Sequence, residues 1–123
     1  MSHVSKIQTQ IKDLKCLQDT IKSYGFSYYE GQALVSQYAG VSGTKVDILM
    51  DMKGDKNLGF NKNEDGTYEF CGDFFGIHEG EQIFVDKFVQ RYSSIKIKAA
   101  LKKKGLSFTE TVIDGTIKLV SNL

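Results

Sequence analysis

The chain has 123 residues, with 16 Lys and Arg against 15 Asp and Glu, eight Phe, six Tyr, two Cys, no Pro and no Trp, and 41% of it is hydrophobic. That length makes one domain, able to bury about two-thirds of the surface its unfolded chain exposes, and the composition excludes disordered, collagen-like and disulfide-scaffold chains. The formal net charge of +1 gives no whole-chain argument for nucleic acid or an anionic membrane as partner.

Met1 to Ile11 alternates polar and apolar residues without the long apolar run of an export signal, so none is expected. The spacing of Ile7, Thr9 and Ile11 predicts a short strand, in preference to the helical start that Val4, Ile7 and Ile11 would also suit. Leu14, Leu17, Ile21 and Tyr24 then recur at steps of three and four, predicting a helix over 13–24 closed by Gly25 in the left-handed C′ position.

From Phe26 to Phe75 the period becomes two. Gln32 to Tyr38 reads as a strand, joined through Gly40-Val41-Ser42-Gly43 to a second strand over Thr44 to Met52. In that second strand Val46, Ile48, Met50 and Met52 share one face, and Leu49 interrupts the polar one. Leu58 to Asn63 and Thr67 to Phe74 form a hairpin about Glu64-Asp65-Gly66. A type I turn with Gly66 in the bulge position pairs Phe60 with Phe70 and Lys62 with Tyr68, which gathers Leu58, Phe60, Tyr68 and Phe70 on one face.

Residues 81–104 return to a helical pattern, with Phe84, Phe88, Tyr92, Ile95 and Ala99 as the core stripe, widened by Ile83 and Val89. Lys102, Lys103 and Lys104 fill the last turn before Gly105, where cations oppose the helix dipole. Asp114-Gly115 then sets a closing hairpin in which Val112 faces Ile117 and Glu110 faces Leu119. The expected fold is α+β: strand, helix, four-strand meander, long helix and C-terminal hairpin, a largely antiparallel sheet with two helices on one face and a single domain over 1–123. No apolar run approaches the roughly 20 residues of a membrane span. Cys16 and Cys71 stand as isolated thiols in different elements, which suits a reducing, cytoplasmic compartment.

Charge is balanced in total and uneven in place. Asp47 to Asp86 holds ten acids and three lysines, whereas Lys87 to Lys104 holds seven cations and no acid. A solvated helix face is the ordinary reading of such a run. The sharper ones are an anion site on the cationic helix and self-association in which acidic sheet meets basic helix. Nucleic acid is disfavoured, because Tyr92 lies among the cations but on the core stripe, and no aromatic-rich RNA-binding pattern accompanies it.

Other motifs fall short of chemistry. Asn61-x-Asn63-x-Asp65-Gly66 begins like a calcium loop, but Gly72 stands where the closing bidentate Glu belongs. Gly40 to Lys45 has the composition of a phosphate loop without its spacing, and a strand follows it instead of a helix. His3 and His78 lack further ligands at metal-binding spacing, so no metal or cofactor is called for. No nucleophile-and-base arrangement is readable, leaving an enzyme unsupported. Glu110, alone among apolar residues on the inner face of the last hairpin, is the carboxylate that stands out, with Arg91 or Lys98 as natural partners.

Met1-Ser2-His3-Val4-Ser5 with Ile7 and Thr9, the first helix ending in Tyr24-Gly25, the Gly59-Phe60 to Tyr68 hairpin, Gln90-Arg91-Tyr92 and Gly115-x-Ile117-x-Leu119-Val120 resemble the hypothetical chloroplast reading frame family of cyanobacteria and plastids, the one numbered thirty-five. The resemblance runs over nearly the whole chain. It implies a compact domain of the cytoplasm or plastid stroma, or of the host cytoplasm for a viral copy, and carries no catalytic or binding residue.

The expectation is a non-enzymatic, oligomeric protein that captures or sequesters a small anionic, nucleotide-like ligand through Arg91, Lys98 and Glu110, with Tyr92 as a stacking surface. The alternative is a protein-interaction or assembly factor that uses the acidic sheet and has no ligand pocket. A small enzyme acting on a phosphorylated metabolite has the least support.

Overall fold

The computed structural model describes residues 5–31, 44–53, 56–74, 80–105, 107–113 and 116–122, the last two segments through their backbone. In chain order the elements are β1 (Ser5–Gln8), α1 (Leu14–Ser23), β2 (Ser27–Glu30), β3 (Ile48–Asp51), β4 (Asn57–Lys62), β5 (Tyr68–Gly72), α2 (Glu81–Lys103), β6 (Ser107–Ile113) and β7 (Thr116–Asn122). The first five strands form an antiparallel sheet in the order β1-β5-β4-β3-β2. The fold is thus α+β, with α1 carrying the chain from one sheet edge to the other.

Local signals set the limits of α1. Asp13 is its N-cap, with an extended backbone, and its Oδ1 accepts the Cys16 N–H at 2.9 Å, an arrangement worth about 1 kcal/mol. At the other end Gly25 takes φ +79°. There the Gly25 N–H donates to the Lys22 carbonyl and the Phe26 N–H to the Ile21 carbonyl, the paired bonds of a Schellman motif. Both helix ends fall where the spacing and glycine placed them.

The sheet register explains the core. Ile7 pairs with Phe70, Phe70 with Phe60, and Phe60 with Ile48, while Leu58 pairs with Met50 and Met50 with Tyr28. Because side chains alternate along a strand, these two rows share one face, the face the helices cover. Leu17 and Ile21 of α1 and Phe84, Val85, Phe88 and Tyr92 of α2 complete that cluster. Phe88 is fully buried, edge-on to Phe70 at 5.2 Å and parallel to Tyr24 at 5.6 Å; truncating such a side chain to Ala costs about 3–5 kcal/mol. The expected pairing of Phe60 with Phe70 and Lys62 with Tyr68 is the observed one.

The structure departs from expectation in three places. The strand that pairs with β3 is β2, over Ser27–Glu30; the strand read over Gln32 to Tyr38 lies outside the described residues. Val46 does not share the face of Ile48 and Met50: it packs with Leu49 and Cys71 in a second cluster, because regular pairing of β3 begins only at Ile48. Leu49, which looked like a break in a polar face, is therefore part of an apolar patch. On α2, Ile83 and Ala99 are exposed and Val85 is buried. Its 23 residues extend about 35 Å, and its core contacts run from Phe84 to Ile95, so its last two turns lie beyond the core cluster.

The closing hairpin forms its own two-stranded sheet against α2, with Val112 opposite Ile117 and Glu110 opposite Leu119 as expected.

Candidate functional site

The four residues singled out from sequence fall in different settings. Tyr92 is buried, and its phenol oxygen accepts the backbone N–H groups of Asp13 at 2.9 Å and Lys12 at 3.2 Å. The ring fills the α1–α2 contact, and the oxygen satisfies amides at the entry to α1 that no helical carbonyl can reach. Its surroundings are those of a core side chain, as the position of Tyr92 on the apolar stripe implied.

Arg91, one residue earlier, projects toward the other end of α1. Its guanidinium carbon lies 3.7 Å from the centroid of Tyr24, and Nη1 donates to the Ser23 carbonyl at 3.3 Å and to Ser23 Oγ at 3.4 Å. The cation thus sits at the C-terminus of α1, on the ring face and against the negative end of the helix dipole. Tyr24 is a platform that sequence reasoning passed over. Its signal was present, since a helix-terminal Tyr before a C′ Gly cannot be buried as fully as the residues inside the helix. The Tyr24 ring in turn stacks on Phe26 at 5.5 Å and on Phe88, so the charge is joined to the core through stacked rings.

Lys98 is half-buried two turns further along, on the same side of α2 as Arg91. Glu110 lies on β6 opposite Leu119, and its side chain lies outside the described residues. The helix therefore brings Arg91 and Lys98 to one side and points Tyr92 elsewhere. Lys96, Lys102, Lys103 and Lys104 are exposed, while in α1 Lys15 pairs with Asp19 at 2.7 Å. The distal half of α2 is a cationic surface.

The acids concentrate at one end of the sheet. Glu30 closes β2 opposite Ile48, Asp47 precedes β3, and Glu64 and Asp65 form the β4–β5 turn. Several polar groups here serve the fold. Asp47 Oδ2 accepts the Lys62 N–H at 2.8 Å and Asn61 Oδ1 accepts the Asp47 N–H at 2.9 Å. Asp65 Oδ1 accepts both the N–H and the hydroxyl of Thr67, which hold its carboxyl below the usual carboxylate range. Asn63 Nδ2 donates to Gln8 Oε1 at 2.7 Å, and Gln8 Nε2 donates to Glu69 Oε2. The side chains that resembled half a calcium loop are engaged in this hairpin, and among the described residues no group of three or more His, Cys, Asp or Glu could hold a metal ion. His3, His78 and the Gly40–Gly43 connection lie outside the described residues.

Cys16 and Cys71 are free, buried thiols. Burial, the largest influence on each, pushes both above the ordinary thiol value, which holds them protonated and unreactive.

The described elements define a small α+β protein with a helix-covered antiparallel sheet and a lysine-rich end to its long helix. Comparison places it further: the chain belongs to the family described as "Protein of unknown function (DUF1257)", whose model matches residues 20–120. It is also similar to the "Uncharacterized protein ycf35" of Pyropia yezoensis, 30% identical over 98% of this chain and 95% of that protein. The resemblance seen in the short sequence motifs is thereby a relationship over nearly the full length. No solved structure matches the chain. Among the described residues no helix is long and apolar enough to cross a membrane.

Proposed function

We propose that this is a non-enzymatic binding protein that works in an assembly, and that the distal half of α2 is the surface on which it takes an anionic counterpart. The observation that carries the reading is the run of seven cations without an acid from Lys87 to Lys104, with Lys96, Lys102, Lys103 and Lys104 exposed. Four like charges within nine residues repel one another, an arrangement relieved when an opposite charge docks. The free thiols Cys16 and Cys71 support a reducing compartment, the cytoplasm or a plastid stroma.

A second reading, capture of a nucleotide-like anion, draws support from Arg91 and Lys98 sharing one side of α2, with Glu110 on the hairpin lying against that helix. It loses support at Tyr92, whose ring is buried and whose oxygen is bonded to α1. A melting-temperature series with polyglutamate in one arm and mono-, di- and cyclic nucleotides in the other separates the two. Polyglutamate is expected to raise the melting temperature in proportion to its concentration at low salt, with the rise lost in Lys102→Glu/Lys103→Glu. Stabilisation by a nucleotide alone moves the conclusion to the second reading, and no shift with any anion overturns both.

A further inference from the structure

Four large hydrophobic side chains are exposed among the described residues, and two of them, Ile83 at 53% and Ile97 at 49%, lie on α2. They are fourteen residues apart, two heptads, so they share one stripe of the helix to within about 40°. Gln90 stands midway on that stripe, and the adjoining positions Ser93 and Ala100 are small and exposed. The two isoleucines are symmetric about Gln90, and a symmetric stripe is what a twofold contact between identical helices needs, because an isologous interface applies one patch to itself.

Charge selects the direction. The N-terminal part of α2 carries Glu81 and Asp86 with one cation, Lys87, all exposed, for a net −1, and the C-terminal part carries exposed Lys96, Lys102, Lys103 and Lys104 and no acid. A parallel pair would set lysines on lysines. An antiparallel pair sets the acidic end of each helix beside the basic end of the other and opposes the two helix dipoles.

We infer that α2 pairs antiparallel with α2 of a second copy of this chain, about a dyad at Gln90, with Ile83 of each copy on Ile97 of the other. The same dyad puts Asp86 opposite residue 94 of the second copy, two residues or about 3 Å along the helix from that copy's Lys96, on the same flank. Both Asp86 and Lys96 are exposed in the single chain, and the Asp86 carboxylate accepts the neighbouring Gln82 amide at 2.9 Å. The inference rests on the reading of α2 as the working surface and names a partner for its stripe. Ser93 and Ala100 let the backbones approach, whereas the face of α2 that carries Phe84, Phe88 and Tyr92 is occupied by the core.

Sedimentation velocity on three forms of the full chain tests this: the unaltered protein, Asp86→Lys and Lys96→Asp. The unaltered chain is expected to dimerise at low salt and to dissociate near 1 M salt, where screening acts over about 3 Å. Each variant alone places like charges together and is expected to be monomeric, while an equimolar mixture of the two restores the dimer. Gln90→Cys is expected to cross-link to itself on oxidation, and Gln82→Cys is not. A salt-independent monomer, dimers in both single variants, or no recovery on mixing overturns the inference. Circular dichroism of each variant guards against lost folding. Polyglutamate stabilisation in a protein that stays monomeric would defeat the pairing and leave the proposed function standing; the reverse result would defeat only the anionic counterpart.

Discussion

One oxygen of Tyr92 closes the gap between the end of the N-terminal strand segment and the start of α1, accepting the N–H groups of Lys12 and Asp13 at 3.2 and 2.9 Å. Asp13 then accepts the Cys16 N–H through its own carboxylate, so the first turn of α1 is held from α2 and from its own cap at the same residue. Tyr92→Phe keeps the ring and removes the acceptor. It is expected to lower unfolding free energy by about 0.5–1.5 kcal/mol, the net worth of a hydrogen bond whose part-buried donors can turn to water. Urea unfolding checks this, and because Asp13 shares the junction, Asp13→Ala with Tyr92→Phe should cost less than the sum of the two.

Gly59 lies directly beneath Val46: a Cβ at Gly59 would meet Val46 Cγ1 at 2.2 Å and Cβ at 2.6 Å. Gly59 is fixed in the middle of the sheet, between Cys71 of β5 and Leu49 of β3, so the strand cannot retreat. Gly59→Ala is expected to destabilise by about 1–3 kcal/mol through overpacking. Val46→Ala should recover part of that loss, and a double-mutant cycle in urea measures the coupling. Additive effects would mean that Val46 is not what excludes the methyl group.

Burial makes three side chains hold their protons more tightly in the folded chain than in the unfolded one. Burial is the largest cause of the upward shift for Cys16, Cys71 and Tyr68. A group with a raised folded value releases its proton first in the unfolded state, so its contribution is intact below the unfolded value and lost as pH rises through the folded one. Stability should therefore be level toward neutral pH, fall from about pH 8.5 as unfolded thiols ionise, and fall more steeply near pH 10 when unfolded tyrosine follows. Urea midpoints between pH 7 and 10 test it, with Cys71→Ala expected to flatten the first part of the decline.

Much of this fold is legible in the chain because local rules and tertiary packing agree. Asp13 and Gly25 bound α1, Gly66 fixes the Phe60–Phe70 register, and Lys102 to Lys104 with Gly105 end α2. The face of Val46 was not legible, since alternation assumes an extended strand and the regular pairing of β3 begins two residues later. Nor was β2, whose exposed Tyr29 and Glu30 show no alternation for an edge strand to announce. The candidate site was legible as charge and not as geometry. Arg91 and Tyr92 are adjacent in sequence, yet a helix turns successive residues by about 100°. One therefore reaches the C-terminus of α1 and the other its N-terminus.

That divergence makes Arg91 the residue at which structural and binding roles can be separated. Its guanidinium carbon lies over Tyr24, 3.7 Å from the ring centroid, while Nη1 donates to Ser23. A lysine would keep the charge but lose the planar contact and the fork of donors. Arg91→Ala is expected to destabilise by about 0.5–1 kcal/mol, the scale of an accessible cation–π contact, and Arg91→Lys by nearly as much if planarity is what matters. Were charge at the end of α1 the larger effect, Arg91→Lys would retain most of the stability. The same proteins decide the ligand question: nucleotide-dependent stabilisation that survives Arg91→Ala excludes Arg91 from an anion site. Stabilisation lost in Arg91→Ala but kept in Arg91→Lys, at matched baseline melting temperatures, would show that the guanidinium's charge reaches beyond Tyr24 to a bound anion.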